Sequence, residues 1–298
     1  MRFSTWGLSG TLATEHPAAM DYATSRLWHW INEIDRACNR FRPSSELARL
    51  NERTGEPIAI SPTLERALRA ALDAAAATDG LCTPTVLGAL LAWGYDRDFD
   101  EIRVRDVWAR PIGTVTPPYT DVALDADAHT IHLAPGCRLD LGASAKALVA
   151  DVVADELAER GGVVVEVGGD VAVRGSGPDG PWVIGTSASL RIRGNEPRVA
   201  VAGGGVATSS LTARTWRVDG REVSHIIDPR TGAPAQGPYA TATVAAASCV
   251  TANAFATAAL LWGEDASYRI AQAGWSARLV RRDGTVDYVG GWPAETPT

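Results

Sequence analysis

Residues 140–174, DLGASAKALVADVVADELAERGGVVVEVGGDVAVR, decide how this chain folds. The stretch opens on a strand end and a turn of small residues, then runs as a helix through Ala145 to Leu157. Next come two runs rich in β-branched residues, Val163 to Val167 and Val171 to Arg174, broken only by Gly168-Gly169. Such runs favour strands, and glycines inside them mark either a tight hairpin turn or a place where backbone approaches a ligand. A helix followed by a strand pair, without strict βαβ alternation, is the signature of an α+β architecture.

Working outward, Phe3 to Ala13 reads as an opening strand with a turn. Leu27, Trp30, Ile31 and Ile34 recur at helical spacing within Ala18 to Cys38. Ser44 with Leu47 and Leu50 suggests a short capped helix, and Ser61-Pro62 opens a longer one with Pro in its first turn. Gly80 to Pro118 is loop-rich, with a short helix ending near Trp93-Gly94. Further β runs fall at Trp182 to Gly185, Arg198 to Ala202, Ala213 to Val218 and Tyr239 to Ala246. A last helix pair spans Thr251 to Leu261 and Asp265 to Ala273.

Composition narrows the possibilities. With 298 residues, 46% hydrophobic and 21% charged, the chain can bury a sizeable core, and a single large domain over 1–298 is expected. A net charge of -7 argues against a nucleic-acid binder, which needs a clustered basic surface. Cys38, Cys82, Cys137 and Cys249 are scattered, without metal-ligand spacing. The opening MRFSTWGLSGTLATEH lacks an export signal, and no window of 18 uninterrupted apolar residues occurs. The expectation is a cytoplasmic protein with no membrane span.

Four constellations could carry chemistry. At Asp140 to Lys146, free amides at the start of a helix and a nearby Lys suit a phosphate-bearing ligand, though a capped helix with an exposed Lys would look the same. Val167-Gly168-Gly169-Asp170 is either a ligand-facing backbone or a hairpin, and it does not match a dinucleotide-binding glycine fingerprint. Ser224 to Gly232, SHIIDPRTG, sets His225 in a polar turn where it could accept a proton, with Asp228 placed to orient it or to sit near a metal. Asn253 and Thr257 are four apart on a helix, so two side-chain oxygens share one face, a donor type that suits Mg²⁺, though by spacing alone a capping pattern at an alanine-rich helix is the better reading.

Together these segments resemble the ApbE family of FAD:protein FMN transferases. Asp140 to Asp151 is similar to the family's DLGGIAKGYAVD, Val165 to Asp170 to its xxLGGD, Ala207 to Ser210 to its ATSG, and Thr251 to Leu260 to its TADALATALF. Ser224 to Gly232 matches SHIIDPRTG without a change. Phe41 to Asn51 resembles YRxDSELSRLN, and Gly80 to Leu90 resembles GxFDPTVGPL, followed by Trp93-Gly94 for the usual LWGF.

The resemblance implies an ApbE-like, T-fold-related α+β domain with mixed or antiparallel sheets and flanking helices. It implies a Mg²⁺-dependent transfer of FMN from FAD, the substrate, to a Thr or Ser hydroxyl of an acceptor flavoprotein, with AMP leaving. Carried over residue by residue, the flavin contacts fall on Trp6, Phe41, Cys82 and Thr83, on Asp140 and Lys146, and on Gly169, Asp170, Thr208 and Ser209. The metal falls to the Ala143 carbonyl and the side chains of Asn253 and Thr257; His225 becomes the base, with Asp228 beside it in the motif. This chain departs from the family pattern in having Asn253 for Asp, Ala147 for Gly, Thr83 for Asp and Trp6 for Met. The first of these also implies an alternative, a flavin-binding or FAD-hydrolysing relative with impaired transfer.

Overall fold

The valine-rich runs pair as a hairpin, Val163–Val167 against Asp170–Arg174, closed by Gly168 (φ 62°) and Gly169 (φ 94°). Two successive positive φ values give the tight turn whose twist matches the flanking strands, which is why glycines stand there. The computed structural model that contains this hairpin describes residues 1–53, 55–107, 116–186 and 196–293. The chain groups into two compact units, each assembled from separated stretches. The first comprises Met1–Ile31, Lys146–Ala213 and Gln236–Thr298; the second comprises Asn32–Ala145 and Arg214–Ala235.

The first unit is built on an 8-stranded sheet. Its strands, in spatial order, are Arg2–Thr5, Leu8–Thr14, Val163–Val167, Asp170–Arg174, Gly203–Ser210, Tyr239–Ala246, Ser276–Arg281 and Val286–Val289. Spatial order equals chain order and every neighbouring pair is antiparallel, so the expected α+β fold with antiparallel sheet and flanking helices is what forms. Val163, Val164 and Val165 are all buried, so the sheet is covered on both faces at its centre and the strand reads as a run rather than an alternation. One face packs Val164, Val171, Val173 and Val206 against Trp292 and Val199.

The strand Gly203–Ser210, central to this sheet, was not expected, because three consecutive glycines mask the β pattern. Their presence has a steric reason: a Cβ on Gly205 would run into the backbone of Cys249. The helix Cys249–Trp262 therefore begins directly on the strand. Its Ala252, Ala254, Ala256, Ala258 and Ala259 are all buried, small side chains that allow this close approach.

A buried carboxylate fixes that helix. Asp151, on the helix Ala145–Leu157, accepts the amides of Cys249 and Val250, both at 2.9 Å, while Ser248 caps the same helix through Thr251 N at 3.1 Å. Arg174 Nη2 adds an ion pair at 3.2 Å. Burial pushes the Asp151 carboxyl above its ordinary range, an effect the two amides and Arg174 oppose.

In the second unit the helix Pro62–Ala77 starts as expected, with Ser61 Oγ accepting Leu64 N at 3.2 Å. The short helix Glu46–Asn51 forms too, but its cap is Ser45, which accepts Ala48 N at 3.0 Å, and not Ser44. Ser45 is the residue whose side chain lies three positions before an amide left unpaired by the helix. Asn51 then clamps the backbone of Leu139, donating to its carbonyl at 2.8 Å and accepting from its amide at 2.7 Å, which fixes the chain one residue before Asp140. The core gathers Tyr95, Ile102, Trp216 and Ile227. Among the described residues no helix is long and apolar enough to cross a membrane.

Replacing Asp151 by Ala leaves the Cys249 and Val250 amides unmatched, while Arg174 keeps Asp155 at 2.7 Å, and is expected to lower stability by about 2 kcal/mol. Urea unfolding checks this: an unchanged midpoint would show that the carboxylate does not hold the helix.

Candidate functional site

In the first unit, residues from four of the sequence segments converge. Lys146, in the first turn of Ala145–Leu157, places Nζ 3.3 Å from Asp170 Oδ2. Asp170 starts its strand just after the Gly168-Gly169 turn and is buried. Its other oxygen, Oδ1, accepts from Asn253 Nδ2 at 2.8 Å. One helical turn on, Thr257 Oγ1 lies 2.9 Å from Ser209 Oγ, and Thr208 Oγ1 lies 2.9 Å from Thr243 Oγ1 on the adjoining strand. Gly169 donates its amide to Glu166 at 2.9 Å, and burial raises the Glu166 carboxyl, with Asp170 adding to the rise.

Trp6 belongs to this unit as well, at the turn between Arg2–Thr5 and Leu8–Thr14. Its φ of 51° puts a bulky side chain in the left-handed region that Gly, Asn or Asp normally fills, a strain of about 1–3 kcal/mol.

The second unit carries the other candidates. Asp140 Oδ2 meets Arg40 Nε at 2.5 Å, Oδ1 accepts Gly142 N at 2.7 Å, and the Asp140 amide donates to Pro84 O at 2.8 Å. The turn so formed leads through the exposed Ala143 into the helix start. Thr83 caps the short turn Pro84–Val86 by accepting Thr85 N at 3.3 Å, and Cys82, buried, donates its amide to Thr78 Oγ1 at 3.0 Å. Phe41 packs on Tyr95 with ring centroids 5.8 Å apart, and burial pushes the Tyr95 hydroxyl upward.

His225 sits between the strands Arg221–Ser224 and Ile227–Asp228, its amide donating to Arg214 O at 3.2 Å. Both Asp228 oxygens are engaged by Arg230, at 2.9 and 2.7 Å. The loop's far end is pinned by Trp93, whose indole N–H donates to Gly232 O at 2.8 Å. Trp93 O in turn accepts the Trp216 indole at 2.9 Å. A cavity of about 240 Å³ lies between this loop and the Thr83 turn, with Thr83, Tyr119, Pro118, Pro229 and Arg230 in its wall. Asp79, Thr116 and Leu81 also line it, so the wall mixes apolar and polar groups.

Sequence reasoning did not single out Arg40, Glu166 or Asp151. Arg40 directly precedes the aromatic Phe41, and Asp151 ends the Asp140 to Asp151 segment, so adjacency to the motifs was the available signal. Glu166 carried only its place before the double glycine.

The architecture has known counterparts. The crystal structure of the ApbE protein from Thermotoga maritima is similar at TM-score 0.82 and 25% identity, covering 97% of this chain and 96% of that one. The flavin transferase ApbE from Vibrio cholerae shares the fold at TM-score 0.81 and 24% identity, over 97% and 96% of the two chains. The model of the ApbE family matches residues 8–279, and the chain belongs to that family. The FAD:protein FMN transferases of Vibrio cholerae serotype O1 and Chlamydia trachomatis are 30% and 28% identical to it, over 82% and 81% of this chain and 74% and 76% of their own lengths.

Whether the residues present suit Mg²⁺ turns on the donor chemistry. Among the described residues no group of three or more His, Cys, Asp or Glu is placed to hold a metal ion. Asn253 and Thr257 offer neutral oxygens, and the Asp170 carboxylate beside them is already matched by Lys146 and by the Asn253 amide. Hard oxygens of this kind fit an ion that retains waters and brings anionic partners with it, and fit poorly an ion resident in the empty protein.

Asn253→Asp would set two carboxylates side by side. It is expected to lower the melting temperature in chelator and to gain at least about tenfold in Mg²⁺ affinity by calorimetry without nucleotide. Equal Mg²⁺ binding by both proteins would remove Asn253 as the reason for a weak site. Trp6→Asn is expected to raise the melting temperature by relieving the turn while weakening FAD binding in a fluorescence titration; a lower melting temperature would show that the turn is not strained.

Proposed function

We propose that this protein transfers the FMN moiety of FAD to a Thr or Ser hydroxyl of an acceptor protein, with release of AMP. Family membership supports the reading, as do relatives that bear the name FAD:protein FMN transferase. The observation that carries it furthest is the linked cluster Lys146–Asp170–Asn253, in which three motifs far apart in sequence meet.

In this reading the acceptor oxygen forms a bond to the FMN-side phosphorus of FAD as the bond from that phosphorus to the AMP oxygen breaks. His225 takes the hydroxyl proton, imidazole being the side chain suited to that task near neutrality. Lys146 offers positive charge to the phosphates, Phe41 and Trp6 offer flat apolar surface to the flavin, and Asp140 offers a hydrogen-bond acceptor. Asn253 and Thr257 would hold Mg²⁺ through neutral oxygens, and the ion would neutralise charge on the pyrophosphate. Binding and orientation supply most of the rate in phosphoryl transfer of this kind.

A second reading is favoured by one contact. The Asn253 amide donates to Asp170, so position 253 brings a neutral side chain tied to a neighbour where the resemblance places a carboxylate, and the protein would then hold or hydrolyse FAD with little transfer.

Incubation with FAD, with and without Mg²⁺ and an acceptor fusion carrying a Thr or Ser target, separates the two. AMP release coupled to a covalently fluorescent acceptor is expected; FAD that stays intact under all conditions would overturn the transferase reading. His225→Ala is expected to cut transfer at least about 100-fold with FAD affinity within threefold, the range for loss of a general base, and undiminished turnover would exclude His225 from the chemistry.

A further inference from the structure

Arg40 carries its charge in an apolar setting. Its side chain is 7% exposed, and a buried guanidinium is costly unless its N–H groups are matched. The match here is incomplete: Nε stands close to Asp140 Oδ2, but among the described residues neither Nε nor Nη2 has an aligned hydrogen-bond acceptor. The flat face of the same group lies 3.9 Å from the Phe41 ring centroid and 4.7 Å from that of Tyr95. An apolar residue would fill this space at less cost if stability were the only demand.

We propose that Arg40 is a positioning residue for the flavin site, one guanidinium holding the Asp140 carboxylate by its edge and the Phe41 ring by its face. The proposal rests on the reading above, in which Asp140 and Phe41 contact the flavin nucleotide. Asp140 Oδ1 accepts the Gly142 amide and the Asp140 amide is tied to Pro84 O, so the direction of this carboxylate sets the turn that leads through Ala143 to the helix start. Arg40 also offsets the charge of Asp140, which would otherwise repel an anionic pyrophosphate. Lys could supply the charge but neither the planar face nor the fork.

The test compares wild type, Arg40→Lys, Arg40→Met, Asp140→Asn and the double variant Arg40→Met/Asp140→Asn. FAD affinity by fluorescence titration, melting temperature, and KM and kcat are read for each. Arg40→Met is expected to raise the Kd and KM for FAD about tenfold with kcat within threefold, Arg40→Lys to recover part of that loss, and the double variant to lose less than the product of the two single losses. Unchanged FAD affinity in both Arg40 variants, or fully multiplicative losses in the double variant, would overturn the proposal alone. If Arg40→Met does not fold, Arg40→Lys decides by the same titration. A wild-type protein that binds no FAD would overturn the functional reading and this proposal together.

Discussion

The arrangement of the first unit depends on the Asp151 carboxylate. A helix start presents unpaired amides, and those of Cys249 and Val250 converge on one buried anion borne by another helix, with Arg174 of the sheet completing the match. Three elements are thereby indexed to each other at one point. Because the helix Cys249–Trp262 begins there, its turns bring Asn253 and Thr257 to Asp170 and Ser209, and the Gly205 strand leaves room for it to lie close.

Much of this was legible in the sequence. Helical periodicity located the helix beginning near Ala18, the Ser61-Pro62 start signal located the next long one, and β-branched runs located the central hairpin. The strand Gly203–Ser210 was not legible, since glycines chosen for a neighbour's backbone erase the pattern of the strand that carries them. The strands Ser276–Arg281 and Val286–Val289 were also passed over, being half-exposed and mixed with Arg, Asp and Tyr. Of the candidate site, motif order singled out the segments that carry Lys146, Asp170 and Asn253, but spacing could not show that the Asn253 amide would turn to Asp170. That depends on a contact across 83 positions, which no local pattern encodes. Arg40 escaped for a related reason: an Arg in a polar stretch looks solvated until the rings of Phe41 and Tyr95 are seen to cover it.

The charge pattern is consistent across both units. A chain of net charge -7 has to present locally compensated sites if an anionic nucleotide is to approach, and each acidic candidate has its own cation: Asp170 has Lys146, Asp140 has Arg40 and Asp228 has Arg230. Asn253 extends the same rule by removing one negative charge from the first cluster.

The burial of the helix Cys249–Trp262 has a consequence for motion. Its residues from Ala252 to Ala256 are all covered, and segments enclosed in this way open to solvent only when the surrounding structure comes apart, so their amides are the last to exchange with deuterium. Asn253, inside that covered stretch, and Thr257, just beyond it, are thus mounted on well-protected backbone of the first unit. Side-chain rotation, within nanoseconds and over short distances, is then the readiest freedom left to Asn253 and Thr257.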